Sequence, residues 1–216
     1  MEYRKGAEPK YLLDPEFERA NALIRDAYRP ATKVALLTVC SWAKPYSQSY
    51  IHYEIRSALY REGLLDQVDY IHVSNAGVVP HEAETWYPFT AYDWNNHGVN
   101  DPMLFLALRQ TIQRHLIAFL SKFKPHWDVV VPYFRLGSNT HQAMLGVIEA
   151  MPMAGSTPFL GSPDVGRWNA VWAEPDVPKD MAEMYTELVG YVDPDLALVR
   201  GENLTSLVTT LKGACK

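Results

Sequence analysis

Two stretches concentrate the residue types that do covalent and base-recognition chemistry. The first runs Cys40-Ser41-Trp42-Ala43-Lys44-Pro45-Tyr46-Ser47-Gln48-Ser49-Tyr50-Ile51-His52. It sets a thiol at the end of an apolar run, a lysine four residues on, and then the start of a helix. A nearby cation and a helix N-terminus both lower a thiol's pKa and favour the nucleophilic thiolate. On the helix, Ser49, His52 and Arg56 recur at three- and four-residue spacing, so they share a face offset from the Ile51–Ile55 stripe. A cysteine, a lysine, a serine and a histidine around one strand-to-helix turn make a candidate site for covalent catalysis. The bland alternative is that Cys40 is a small core side chain, Lys44 is solvated and His52 caps or packs.

The second stretch is Ser74-Asn75-Ala76-Gly77-Val78-Val79-Pro80-His81-Glu82-Ala83-Glu84-Thr85-Trp86-Tyr87-Pro88, continuing to Tyr92-Asp93-Trp94. A strand ends, a glycine-containing turn follows, and acidic residues sit among aromatics. Rings that stack and carboxylates that accept from N–H groups suit a planar nitrogenous base. The alternative is a surface loop pinned by aromatic packing. A third rim, Tyr133 to His141, offers Arg135, Ser138, Asn139 and His141 at a helix N-terminus, for a phosphate or a donor's carboxylate. An ordinary capped helix is the commoner origin of such a pattern. The seven histidines show neither an HExxH pattern nor a CxxC partner, so no metal is expected. No Walker loop or GxGxxG is present, and no cofactor is implied.

The elements that position these residues follow from periodicity. A helix is predicted over Pro15–Tyr28 and a strand buried on both faces over Val34–Cys40. Further helices are predicted at about Ser49–Arg61, Asp101–Phe123, Asn139–Met151 (capped by Asn139 or Thr140), Lys179–Tyr191 and Asn203–Lys212. Further strands are expected at Val68–Ser74, Trp127–Tyr133 and Leu196–Arg200. Residues 75–100 read as a long, loop-rich stretch rich in aromatics, and Pro152–Gly166 as irregular. Alternating strands and helices mean a three-layer α/β fold with a mostly parallel central sheet flanked by helices. Sites in such sheets lie beyond the carboxyl ends of the strands. We expect one domain over 1–216: a helical extension (1–30), a core (31–150) and a C-terminal part (151–216).

Composition bounds the rest. With 216 residues, 48% of them hydrophobic, the chain is neither disordered nor low-complexity. Two cysteines, Cys40 and Cys215, exclude a disulfide framework and a four-cysteine zinc site. The most apolar segment, Pro102–Phe123, carries Arg109, Arg114 and His115 and so does not read as a membrane span. No signal peptide is recognised, so the cytoplasm is the expected compartment. A net charge of −5 is the wrong sign for a free-standing electrostatic binder of nucleic acid.

The spacing Cys40-x3-Lys44-Pro45-Tyr46-x2-Ser49-x2-His52 resembles the signature of archaeosine synthase, in its catalytic core domain. That family is related to archaeal tRNA-guanine transglycosylases. Ser74, Gly77, Val79, Pro80, Glu84, Tyr87, Pro88, Tyr92 and Asp93 stand where that family has its Ser-x-x-Gly-x-Val-Pro-x-x-x-Glu-x-x-Tyr-Pro stretch and downstream Tyr-Asp. Val39 stands where the family usually has proline. The resemblance is specific over residues 34–94, vaguer to about 150, and absent from 1–30 and 160–216. It implies a uracil-DNA-glycosylase-like fold. It implies, too, an amidinotransferase-like reaction, in which an amine donor such as lysine adds to the nitrile of 7-cyano-7-deazaguanine in tRNA or DNA. Cys40 would be the nucleophile, forming a thioimidate. Lys44 would lower its pKa or stabilise the nitrogen anion, and His52 would shuttle protons. Tyr46, Ser47, Ser49, Ser74, Gly77, Glu84, Tyr87, Asp93 and Arg135 would line the substrate, with Glu84 or Asp93 on the base edge. Family members carry basic tRNA-delivering domains for which 216 residues leave no room. A separate nucleic-acid-binding subunit, a homo-oligomer or a smaller substrate is therefore expected. The alternatives are a glycosidase or base-exchange enzyme on modified nucleobases, and a non-catalytic base-binding subunit of a modification complex.

Overall fold

The computed structural model of the chain describes residues 4–5, 10, 13–93, 101–151 and 168–216. Trp94 and the stretch Pro152–Gly166 lie outside them. In chain order the elements are β1 (Arg4–Lys5), α1 (Pro15–Ala27), β2 (Val34–Val39), α2 (Tyr50–Arg61), β3 (Val68–Ser74), β4 (Gly77–Pro80), β5 (Tyr92–Asp93), α3 (Pro102–Phe123), β6 (Val129–Arg135), α4 (Asn139–Ala150), β7 (Val171–Ala173), α5 (Lys179–Val189) and α6 (Gly201–Ala214). Among the described residues no helix is long and apolar enough to cross a membrane.

The core is a five-stranded mixed sheet of order β4-β3-β2-β6-β7. β3, β2, β6 and β7 run parallel, and β4 folds back antiparallel on β3. β2 is central, with Val34 level with Val68 on one side and Val129 on the other. All six of its side chains are buried, as a strand covered on both faces requires. α1, α3 and α4 pack as one group, and α2 packs against α6. The chain thus moves outward from β2 in both directions, to β3 and to β6. The carboxyl end of β2 is the point where the order reverses, which is where open α/β sheets place their ligands.

Local chemistry sets the helix starts. Asp14 caps α1 ahead of Pro15, Ser49 caps α2 by accepting from the His52 amide, and Asp101 caps α3 ahead of Pro102. The cap of α4 is Ser138, where Asn139 or Thr140 was expected. Gly137, at φ 79°, turns the chain so that Ser138 is extended and its hydroxyl meets the His141 amide. The strand expected at Leu196–Arg200 is instead a 3-10 helix, Pro194–Val199. Asp193 accepts from the Asp195 amide and Pro194 starts the turn, while four consecutive buried residues from Leu196 imitate a strand in the sequence. β4 and β7 were not expected. Both are too short to show alternation.

Gly77 explains why the turn from β3 to β4 needs glycine. Its φ is 148°, and a Cβ there would lie 2.0 Å from Asn21 Oδ1. Asn21 is committed: it donates to the Phe17 and Ala76 carbonyls and accepts from the Val78 amide. Ser74 closes the same turn, its hydroxyl accepting from the Ala76 and Gly77 amides. Replacing Gly77 by alanine combines backbone strain with the loss of Asn21's bonds. We expect Gly77→Ala to destabilise the fold by about 2–4 kcal/mol, read as a lower urea midpoint at unchanged slope.

Candidate functional site

Cys40 extends the β2 ladder by one residue, its amide donating to the Val73 carbonyl at 2.9 Å. It is therefore held at the sheet's switch point. Ser41 pins the loop that follows, its hydroxyl donating to the carbonyls of Ala43 and Tyr46. Lys44 folds back over that loop. Its ammonium donates to the Ser41 carbonyl and lies 4.8 Å from the Tyr46 ring centre and 4.6 Å from that of Tyr92. The two tyrosines are joined hydroxyl to hydroxyl at 2.7 Å. Burial pushes the Cys40 thiol up to about 11, against the Lys44 charge, which lowers it; Asp195 and Asp193 raise it further. Burial also lowers Lys44, against the favourable charges of Cys40 and Asp93. Thiol, amine, two aromatic rings and the Asp93 carboxylate are thus gathered in one place.

Glu84 joins the two motif stretches. It is 4% exposed, and its carboxylate accepts from the Ser47 amide at 2.9 Å and the Ser47 hydroxyl at 2.6 Å. His72 Nε2 stands 3.5 Å and His81 Nδ1 3.1 Å from its two oxygens. Burial opposes the charge, but His72, His81 and Ser47 outweigh it and hold the carboxyl far below the usual carboxylate range.

The other expected site residues serve the scaffold or its joints. Ser49 is the α2 cap, and Ser74 and Gly77 shape the β3–β4 turn. Tyr87 donates to Glu16 Oε2 at 2.6 Å, tying the second stretch to α1. Arg135 pairs with Asp195 at 2.9 Å, which orders the segment before α6. His52 is fully buried, with Nδ1 2.8 Å from the Tyr70 hydroxyl and its ring edge-on to His72. Burial, and then the neighbouring His72, hold its pKa well below the ordinary value, so it is neutral. Of the aromatics, Phe89 and Tyr92 are core residues, and Trp86 is 39% exposed.

Beside the Cys40 loop lies a cavity of about 450 Å³. Ser41, Trp42, Ala43 and Tyr50 form one wall, and Met184, Tyr185, Leu188, Tyr191 and Asp193 the other. The second wall was missed in the sequence, although Met184, Leu188 and Tyr191 recur at helical spacing and Leu188 is 74% exposed. Tyr70 and His72 were missed as well. Their signal is the alternation Tyr70, His72, Ser74, which puts polar groups along one face of the strand, while the other carries Asp69, Ile71 and Val73.

The Glu84 joint carries a stability prediction. Its pKa is depressed, so the stabilisation is fully present above the unfolded carboxylate value near 4.5 and is lost progressively as the pH falls below it. Glu84→Gln should cost about 2–4 kcal/mol at pH 7. The gap between variant and wild type should narrow below pH 4.5, measured by denaturant melts at both pH values.

Known proteins place the chain as follows. No curated protein matches it. A solved structure of similar fold is the crystal structure of AF0587, a protein of unknown function, at 18% identity and a TM-score of 0.50. The alignment covers 91% of this chain and 49% of that one, so the chain spans about half the length of that relative. Residues 18–131, a little more than half of the 216, match the family model described as Domain of unknown function (DUF5591). The chain belongs to the DUF5591 family.

Proposed function

We propose that this protein modifies a 7-deazaguanine base in tRNA or DNA by adding an amine to its nitrile, with Cys40 as the nucleophile. The observation that carries this reading is the convergence of Cys40, Lys44, Tyr46 and Asp93 at the sheet's switch point, beside a cavity walled by Trp42 and Tyr50. A cavity of this size accommodates a purine-sized base. A uracil-DNA-glycosylase-like arrangement accords with a five-stranded α/β sheet whose site lies at the strand ends.

The chemistry balances with the groups present. The Cys40 sulfur bonds to the nitrile carbon, and the thiol proton passes to the nitrile nitrogen, giving a thioimidate. The donor amine then adds to that carbon. The carbon–sulfur bond breaks, a proton from the amine returns to sulfur, and an amidine leaves. Lys44, held over two tyrosine rings, stabilises the developing charge on nitrogen. Buried and neutral, His52 belongs to the core beside Tyr70 and His72 rather than touching substrate. Asp93 and the cavity's aromatic walls hold the base. The −5 charge leaves the phosphate backbone to a separate nucleic-acid-binding subunit or a homo-oligomer.

A second reading, a base-binding subunit without catalysis, draws on the thiol: at about 11 it is protonated at rest. Intact mass spectrometry with 7-cyano-7-deazaguanine separates the two. The enzyme reading expects a covalent increment on wild type, none on Cys40→Ala, and amidine product when an amine is added. Full product formation by Cys40→Ala sinks it, and binding with neither adduct nor product favours the second reading. Release of free base from modified nucleic acid marks a glycosidase instead. Without substrate, alkylation of Cys40 by iodoacetamide should be slow at pH 7. It should quicken roughly tenfold per pH unit up to about 11, followed by peptide mapping.

A further inference from the structure

His72, His81 and Glu84 bring three metal-competent donor atoms within 4.8 Å of one another. His72 lies in the middle of β3, is 0% exposed, and has no hydrogen-bond partner for either ring nitrogen. A buried imidazole in that state carries an uncompensated desolvation cost. His81 Nδ1, on the short turn His81–Ala83, likewise lacks a hydrogen bond. Both nitrogens nonetheless stand close to the Glu84 oxygens, at 3.5 and 3.1 Å. They approach without the alignment of an N–H donor. Donors at about 2.0–2.2 Å from a tetrahedral ion lie about 3.3–3.6 Å apart, close to these separations. Ring N–H groups facing the carboxylate account for the proximity; with those protons lost, the same three atoms turn their lone pairs toward one centre.

We propose that His72 Nε2, His81 Nδ1 and the Glu84 carboxylate bind one divalent transition-metal ion of the zinc type. Two imidazoles among three donors select such an ion over calcium or magnesium, which take oxygen shells. Ser47 supplies the outer support: its amide donates to one oxygen of the carboxylate and its hydroxyl to the other, which fixes its orientation. The His81 side chain is 34% exposed, which gives the ion an entry path and leaves water the fourth position. The site holds whichever reaction Cys40 performs, because none of its donors is among the groups gathered at the thiol. Sequence spacing gave no sign of it: His72 lies within β3 and His81 nine residues on, directly after β4.

Arg56 sets the condition for loading. Its Nη1 is 3.1 Å from His81 Nε2. While the guanidinium donates there, the imidazole proton sits on Nδ1 and that atom cannot ligate. Binding the ion moves the proton to Nε2 and displaces Arg56, which packs over the Tyr70 ring at 5.7 Å and is only partly buried. Glutamine at position 56 supplies an oxygen that accepts from Nε2–H, so Arg56→Gln should tighten binding.

The test uses the untagged full chain, stripped with chelator and titrated with cobalt(II), then with zinc in competition. The expected result is one equivalent per chain with visible ligand-field bands. His81→Ala, at a partly exposed turn, should weaken binding by roughly 100-fold or more, and Arg56→Gln should tighten it by about tenfold. Circular dichroism checks that each variant is folded. Absence of saturable one-to-one binding by wild type overturns the proposal, as does an affinity unchanged in folded His81→Ala.

Discussion

A single buried carboxylate holds the two candidate site stretches of this chain in register. Glu84 comes from the segment after β4, Ser47 from the loop after β2, and 37 residues of sequence separate them. Their hydrogen bonds are made in a low-dielectric setting where an unpaired carboxylate is very costly. The loop bearing Lys44 and the segment bearing Tyr92 and Asp93 therefore come together as a unit. The Tyr46–Tyr92 hydroxyl contact and the Lys44 ammonium above both rings depend on that arrangement. Without the joint, the thiol would keep its place on β2 but lose the groups that surround it.

The sheet supplies the second constraint. Cys40 is fixed by a ladder bond at the point where connections leave β2 in opposite directions. Strand ends at such a point diverge, which opens a crevice without disturbing the core. The fold is therefore stiff beneath the site and irregular above it, where short 3-10 turns at Tyr46–Gln48 and His81–Ala83 carry the polar groups. Similarity to a solved structure at 18% identity extends this arrangement of elements beyond one sequence while saying nothing about chemistry.

Much of this architecture was legible in the sequence. β2 and β3 announce themselves as apolar runs of strand length, and α1, α2 and α3 by their stripes and capping residues. What escaped was short or non-local. β4 spans four residues and β7 three, too few for a period to show, and the buried run at Leu196 is a 3-10 helix that only Asp193 and Pro194 distinguish from a strand. For the candidate site, the nearness of Lys44 to Cys40 was readable from spacing. The occupation of Ser49, Ser74, Gly77, Tyr87 and Arg135 by structural bonds was not, because each bond partner lies on a different element or in a turn whose geometry the sequence only hints at. The grouping of His72, His81 and Glu84 was equally hidden, since it depends on an antiparallel return that no periodicity signals.

The cavity beside Cys40 has two walls of different origin. One belongs to the stretch that matches the DUF5591 model, and the other, Met184 to Asp193, lies wholly outside it. The far wall combines α5, which supplies Met184, Tyr185 and Leu188, with Tyr191 and Asp193 from the turn that follows it. The groups around the thiol and the far wall of the cavity are thereby encoded in separate stretches of sequence. Substitutions in α5 can reshape the cavity without touching the thiol, the lysine or the carboxylate joint.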